Sequence, residues 1–175
     1  FQEHNNWGRW GADDELGTMN LITPEKTRQA AALVQKGITV SLAHNPIPGV
    51  APDNPDAAFN HTMGRTLRSD TIELTSHGYG VRHIHALCHF LWNERLYNDT
   101  PPSASTTEGC GKFGIENLKS GIVTRGILLD FARLKGVPYL EPQTPIYVED
   151  IEAWEAQAGV TVSPGDIIFV RTGRW

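Results

Sequence analysis

Cysteine is scarce in this chain: Cys88 and Cys110 are too few for a disulfide scaffold and are not spaced as zinc ligands. No apolar run is long enough to span a bilayer, and no signal-peptide pattern is recognised. Basic runs are also absent and the net charge is −5, which disfavours a nucleic-acid partner because phosphate binding requires a cationic face. The sequence therefore favours a cytoplasmic protein without a membrane or nucleic-acid partner.

The residues that are present predict one domain. The chain has 175 residues, of which 39% are hydrophobic, enough for a single core spanning 1–175. Residues 1–22 are rich in Trp and Gly and show no helical or strand period, which indicates an irregular N-terminal arm. Helical and strand patterns then alternate between long loops such as 44–68, which indicates an α/β fold with a mixed sheet. The expected helices cover 24–37 and 148–158, a helical turn covers 114–118, and the expected strands cover 38–42, 70–75, 123–130 and 166–171.

Histidine is concentrated in one stretch, since four of the seven histidines fall between His77 and His89. Neutral imidazole is the commonest protein metal ligand, and it titrates nearest neutral pH. His83 and His85 are two residues apart, so on a strand both point to the same face. His89 follows His85 by four residues and shares that face if the chain turns helical after Ala86. The spacing predicts three imidazoles near a strand-to-helix junction.

Simpler interpretations exist for each of these residues. The histidines can be separate surface or hydrogen-bonded core residues, and Tyr79 can be a core tyrosine. His61 lies in the long loop 44–68, where a solvated histidine is the alternative to one that approaches the site. Cys88 is expected to serve packing, because nothing beside it indicates the lowered pKa that a nucleophilic thiol needs.

Four stretches resemble the cyclase family of metal-dependent hydrolases, which includes bacterial kynurenine formamidase and isatin hydrolase. The resemblance implies a swivelling β/β/α-type fold, a homodimer or homotetramer, a small-molecule substrate, and bound Zn²⁺ or Mn²⁺. It also implies that the C-terminal part of the domain lies beyond Trp175. The four stretches are WGRWGADDELGTMN (7–20), HIHALCHF (83–90), IVTRGILLD (122–130) and PGDIIFVRTG (164–173).

The family's metal motif reads His-x-x-x-His-x-Asp-x-x-x-His, and this chain departs from it at two positions. His83 matches the second histidine, and His89 matches the last one, a proton donor and acceptor. Tyr79 stands at the first histidine and His85 replaces the aspartate. The resemblance thus implies metal ligation by His83 and a proton-transfer role for His89. The chemistry of the other residues predicts His85 as a second ligand, with His77 or a residue beyond Trp175 as the third. Tyr79 is a candidate hydrogen-bond donor in catalysis.

The leading hypothesis is a metal-dependent hydrolase of a small amide, formamide or cyclic amide. Because a neutral nitrogen replaces an anionic oxygen at His85, zinc would be favoured over manganese. A second hypothesis dispenses with the metal and uses the histidines as acid and base in a cyclase, dehydratase or isomerase. A third is a relative that binds a small molecule without turnover.

Overall fold

The structure is a computed structural model, and the chain divides into two compact units. The first unit combines Phe1–Lys36 with Glu116–Trp175, and the second is Gly37–Ile115. His77 and Tyr79, two of the expected site residues, lie outside the described residues. The residues that the structure describes are 4–43, 45–46, 48–50, 59–66, 68–76 and 81–173.

The described elements are three helices, six short strands and five single 3-10 turns. The 3-10 turns are Gly17–Leu21, Leu87–His89, Tyr97–Asp99, Pro102–Ala104 and Ile115–Leu118. The helices are α1 (Pro24–Ala31), α2 (Phe131–Leu134) and α3 (Val148–Ala158), and the strands are β1 (Phe59–Met63), β2 (Asp70–Leu74), β3 (Ser105–Thr106), β4 (Gly109–Cys110), β5 (Gly126–Asp130) and β6 (Ile167–Arg171).

Helix α1 starts where the sequence predicts and ends earlier. The Thr23 hydroxyl accepts a hydrogen bond from the Lys26 N–H at 3.2 Å, and Pro24 occupies the first turn, as expected for a helix start. The helix ends at Ala31 rather than continuing to Gly37. Helix α3 has the predicted bounds, and Gly159 ends it in a left-handed conformation with φ of 66°.

The first unit contains a βαβ arrangement. Strands β5 and β6 pair in parallel, from Gly126 opposite Ile167 to Asp130 opposite Arg171, with α2 and α3 between them in the chain. The core contains Ile127 and Leu129, which alternate on β5 as a strand with one covered face requires. Their cover includes α3, whose apolar side chains Ile151 and Trp154 pack against this core. The packed residues are Phe131, Leu140, Ile151 and Trp154.

A buried carboxylate joins α1 to the start of β6. The Asp166 side chain has no exposed surface and accepts hydrogen bonds from Arg125 Nε at 2.9 Å and Nη2 at 2.6 Å. Lys26 Nζ lies 2.6 Å from Oδ1 of this carboxylate, and the Ser163 N–H donates to Oδ2 at 2.7 Å. The hydrogen bonds from Arg125 hold the pKa of Asp166 well below its usual range, and Lys26 and Ser163 add to this against the opposing effect of burial. The carboxylate therefore stays ionised and fixes three segments together.

Gly165 provides a test of this junction. Its φ of +81° is left-handed, and an added methyl would collide with the Leu21 carbonyl oxygen. We expect Gly165→Ala to lower the free energy of unfolding by about 3 kcal/mol, from backbone strain and overpacking together. Gly136→Ala is the matched control, because Gly136 has φ of +66° but open space around it, so only strain of about 1–2 kcal/mol should appear. Denaturant unfolding measures the free energy of unfolding of both variants. Equal losses in the two variants would contradict a collision with the Leu21 carbonyl oxygen.

The second unit contains a hairpin that the sequence predicted only in part. Strand β2 agrees with the expected strand 70–75, and it pairs antiparallel with β1, with Phe59 opposite Leu74. Strand β1 lies inside the stretch 44–68 that was expected to be a loop, so that expectation was wrong there. The expected strand 38–42 is absent, because those described residues have no strand partner.

The two cysteines form a disulfide in the core of the second unit. Cys88, in the Leu87–His89 turn, is bonded to Cys110 at the end of β4. Cys88 packs with Ala86, Leu96 and Phe113, so its expected packing role is confirmed. The cytoplasmic location expected from the sequence implies reduced thiols, whereas the structure bonds these two cysteines, which are 22 residues apart in the sequence.

The mixture of helices and strands agrees with the expected class. The described strands form three separate two-stranded sheets, two antiparallel and one parallel, rather than one mixed sheet. No helix in the described parts of the chain combines the length and apolarity needed to cross a membrane.

Candidate functional site

His83 and His85 lie side by side in the second unit. Their Nε2 atoms are 2.9 Å apart, and their ring centroids are separated by 4.7 Å. The residues around them belong to no strand, and the two rings nevertheless face each other. The structure therefore brings this pair together as the two-residue spacing predicts, while their role as ligands stays a prediction.

The hydrogen bonds of His83 define its tautomer. Nδ1 of His83 lies 2.8 Å from the carbonyl oxygen of Val81, and a carbonyl can only accept, so Nδ1 carries the proton. In the neutral ring Nε2 then presents a lone pair, and the facing Nε2 of His85 must donate to it. Metal-ligating histidines commonly donate their second ring nitrogen to a backbone carbonyl in this way. The orientation of His83 therefore directs its Nε2 lone pair in a way that suits the binding of a metal cation.

The donor set fits a divalent cation in part. Two imidazole nitrogens on a tetrahedral zinc ion, each about 2.0–2.1 Å from it, lie about 3.4 Å apart, so His83 and His85 need to separate slightly. His85 must also move its proton from Nε2 to Nδ1 before it can ligate. In the described part of the chain no third ligand atom groups with this pair. His77, the candidate third ligand, lies outside the described residues.

His89 occupies a different group from the one expected. The sequence predicts that it shares a face with His83 and His85, yet the ligand atoms of the three rings do not form one group within 4.8 Å among the described residues. The chain after Ala86 makes a single 3-10 turn, Leu87–His89, instead of a longer helix, so the four-residue spacing does not stack His89 over His85. Its ring instead lies near the sulfur atoms of Cys88 and Cys110.

His61 is not part of this arrangement. It lies on β1, and its Nε2 is 2.8 Å from Oδ1 of Asp70 on β2, so its contact links the two strands of the hairpin.

An open cleft of about 520 Å³ lies in the first unit between the Gly17–Leu21 turn and the start of β6. None of the expected site residues lines this cleft.

Sequence reasoning missed two features that position this part of the chain. The Cys88–Cys110 bond anchors the turn that carries His89, and the Cys88 N–H donates to the Phe113 carbonyl at 3.3 Å. The only available signal was that Cys88 directly precedes His89, and this adjacency does not reveal a partner elsewhere in the chain.

Comparison with known proteins identifies the family of the chain. Residues 15–175 match the Cyclase family, whose description reads "Putative cyclase", and the chain therefore belongs to the Cyclase family. A crystal structure described as that of a novel cyclase is 34% identical to it, with a TM-score of 0.83. The alignment covers 98% of this chain and 62% of that chain. No curated protein matches. Membership of this family points to an enzyme.

Proposed function

We propose that the chain belongs to a metal-dependent hydrolase of a small amide, formamide or cyclic amide, resembling kynurenine formamidase and isatin hydrolase. The proposal rests chiefly on one observation: the Val81 carbonyl orients His83 so that its Nε2 lone pair points at His85, 2.9 Å away. Such pairs of imidazoles are competent zinc ligands once a third group joins them. His77, or sequence outside this chain, is proposed to supply that group.

Each predicted residue has a role in this reaction. His83 and His85 would hold Zn²⁺ or Mn²⁺, with zinc favoured by the nitrogen donors. A divalent cation, when bound, supplies Lewis acidity that activates water and polarises a carbonyl. His89, whose side chain is exposed, would take a proton from water and deliver it to the leaving nitrogen. Tyr79 would donate a hydrogen bond to the developing oxyanion.

The test uses the full-length protein with its disulfide intact. We expect about one equivalent of zinc or manganese per chain, and loss of turnover of aryl formamides or cyclic amides on chelation. His89→Gln should retain the metal but lower kcat by about 100-fold or more, because it removes the acid and base.

His61→Gln is the matched control, since His61 is also an exposed histidine and its Nε2 contacts Asp70 across the β1–β2 hairpin. Its kcat and metal content should equal those of the wild type. Protein that binds no metal, and that added metal does not activate, would refute the hydrolase proposal.

A second candidate function is supported by the same pair. A direct hydrogen bond between two imidazoles can pass a proton, as a metal-independent cyclase, dehydratase or isomerase requires. Turnover that survives removal of all metal but not the change His89→Gln would favour this candidate. Binding without turnover would favour a non-catalytic relative.

The remaining properties of the whole protein are proposals on the same basis. A swivelling β/β/α-type fold and a cytoplasmic location follow from the family resemblance and from the composition. A homodimer or homotetramer is supported by a run of exposed apolar side chains directly after His89, namely Phe90, Leu91 and Trp92, because such patches commonly mark interfaces.

A further inference from the structure

Three side chains of the metal-ligating type meet where the Leu87–His89 turn contacts β4. The sulfur atoms of Cys88 and Cys110 and a ring nitrogen of His89 all lie within 4.8 Å of one another. Within the described residues, this is the group that brings three such atoms together. The group is separate in its ligands from the His83–His85 pair.

The group must open to hold a tetrahedral ion, because its two sulfur atoms are bonded to each other in this structure. With Zn–S near 2.3 Å and Zn–N near 2.0–2.1 Å, ligand atoms on zinc lie about 3.4–3.8 Å apart. The disulfide occupies both sulfurs, so neither can ligate in the oxidised protein. The Cα atoms of Cys88 and Cys110 are 6.0 Å apart, and the side chains can therefore open around an ion without a large backbone movement.

We propose that Cys88, His89 and Cys110 form a thiolate–imidazole site for Zn²⁺ when their disulfide is reduced. A cellular dithiol reduces the disulfide: it loses two electrons and two protons and becomes a disulfide itself, while Cys88 and Cys110 become thiols. Zn²⁺ then displaces one proton from each thiol and binds the two thiolates and the neutral imidazole. Water completes the fourth position.

The surroundings favour this complex. Cys88 is 5% exposed and packs against Leu96 and Phe113, so a charged group there would be costly. Two thiolates and one Zn²⁺ have no net charge, which keeps the cost of burial low. The exposed side chain of His89 leaves a route for the ion. In reducing compartments, single disulfides are commonly transient and regulatory, which agrees with a site that opens on reduction.

The site has a consequence for catalysis that rests on the proposed function. A zinc ion bound by His89 occupies the ring nitrogen that would accept the proton from water. Zinc is therefore expected to inhibit the reduced enzyme and to leave the oxidised enzyme active. The existence of the metal site does not depend on this consequence.

The test titrates Co²⁺ into the full-length protein in its oxidised and reduced forms. Cobalt bound by thiolates absorbs in the near ultraviolet by sulfur-to-metal charge transfer, whereas cobalt bound only by imidazoles does not. We expect the charge-transfer band in the reduced protein, its absence in the oxidised protein, and its loss when Zn²⁺ displaces cobalt. Reduced protein should bind zinc at this site at least about 100-fold more tightly than the oxidised protein.

Two variants separate this proposal from the proposed function. The double variant His83→Ala with His85→Ala should keep the charge-transfer band, even if the hydrolase proposal fails. His89→Gln should weaken cobalt binding at least about tenfold while retaining some sulfur absorption. A reduced protein without the band, or a band unchanged by Cys110→Ser in a variant that still unfolds cooperatively, would overturn the proposal. Equal inhibition of both redox forms by zinc would overturn the consequence for catalysis.

Discussion

Asp166→Asn is expected to lower the free energy of unfolding by about 3–5 kcal/mol, the cost of breaking a buried ion pair by removing one partner. Asp166 has no exposed side-chain surface and contacts both Lys26 and Arg125. The asparagine amide is neutral, so Lys26 and Arg125 lose their counter-charge. The Lys26 side chain is only 11% exposed. Urea or thermal unfolding of the variant and the wild type measures the loss.

The pH dependence of stability gives a second readout of the same change. The pKa of Asp166 is lowered in the folded protein by Arg125 and Lys26, so the folded state binds fewer protons at this group than the unfolded state does. Its contribution is complete above the ordinary carboxyl pKa near 4 and is lost as the pH falls below that value. The variant should therefore lose less stability than the wild type on acidification.

Asp99→Asn is the matched control for this prediction. Asp99 pairs with Arg95 at 2.8 Å, but the pair is exposed, at 68% and 39%, and exposed pairs contribute about 0–1 kcal/mol. Asparagine also tolerates the left-handed backbone at this position, where φ is 58°. Equal losses of stability in the two variants would contradict the conclusion that the Asp166 carboxylate holds α1 to the start of β6.

Replacing His83 or His85 by alanine is expected to remove divalent-cation binding from the oxidised protein. Changes to the partners that orient a ligand already cost about 10–100-fold in affinity, so loss of a ligand itself should exceed about 100-fold. His83→Ala also leaves the Val81 carbonyl without its imidazole donor. Competition with a zinc-binding dye measures the affinity in each variant.

The matched control is His61→Ala, whose ring contacts Asp70 on the hairpin. Its affinity for zinc should remain that of the wild type. The oxidised form is used throughout, so that the thiolates of Cys88 and Cys110 do not contribute. Wild-type affinity in both His83→Ala and His85→Ala would place the cation elsewhere and exclude this pair as its ligands.

Helices and strands whose defining pattern lies within their own residues could be predicted from the sequence. Helix α3 has the predicted bounds because Ile151 and Trp154 mark its apolar face and Gly159 ends it. Strand β5 appears within the expected stretch because alternate residues, Ile127 and Leu129, are buried. The proximity of His83 and His85 agrees with the two-residue spacing, although no strand carries them.

Features that depend on distant partners were not predictable. The stretch 38–42 has strand-like composition, but a strand requires a neighbour, and none is paired with it in the described structure. Strand β1 was missed because its mostly polar sequence, Phe59–Met63, lies in a stretch rich in proline. His89 groups with Cys110 rather than with His85 because the hairpin β3–β4 brings Cys110 to it, and no local pattern encodes that approach.

The parallel pairing of β5 with β6 has a consequence for how the chain folds. Paired residues such as Asp130 and Arg171 are 41 positions apart, so the chain must close a long loop before their contacts form. The antiparallel hairpin β1–β2 joins close neighbours and can form in about 1–10 μs. Non-local contacts slow folding, and the closing of β5 onto β6 is therefore expected to set the refolding rate of the first unit.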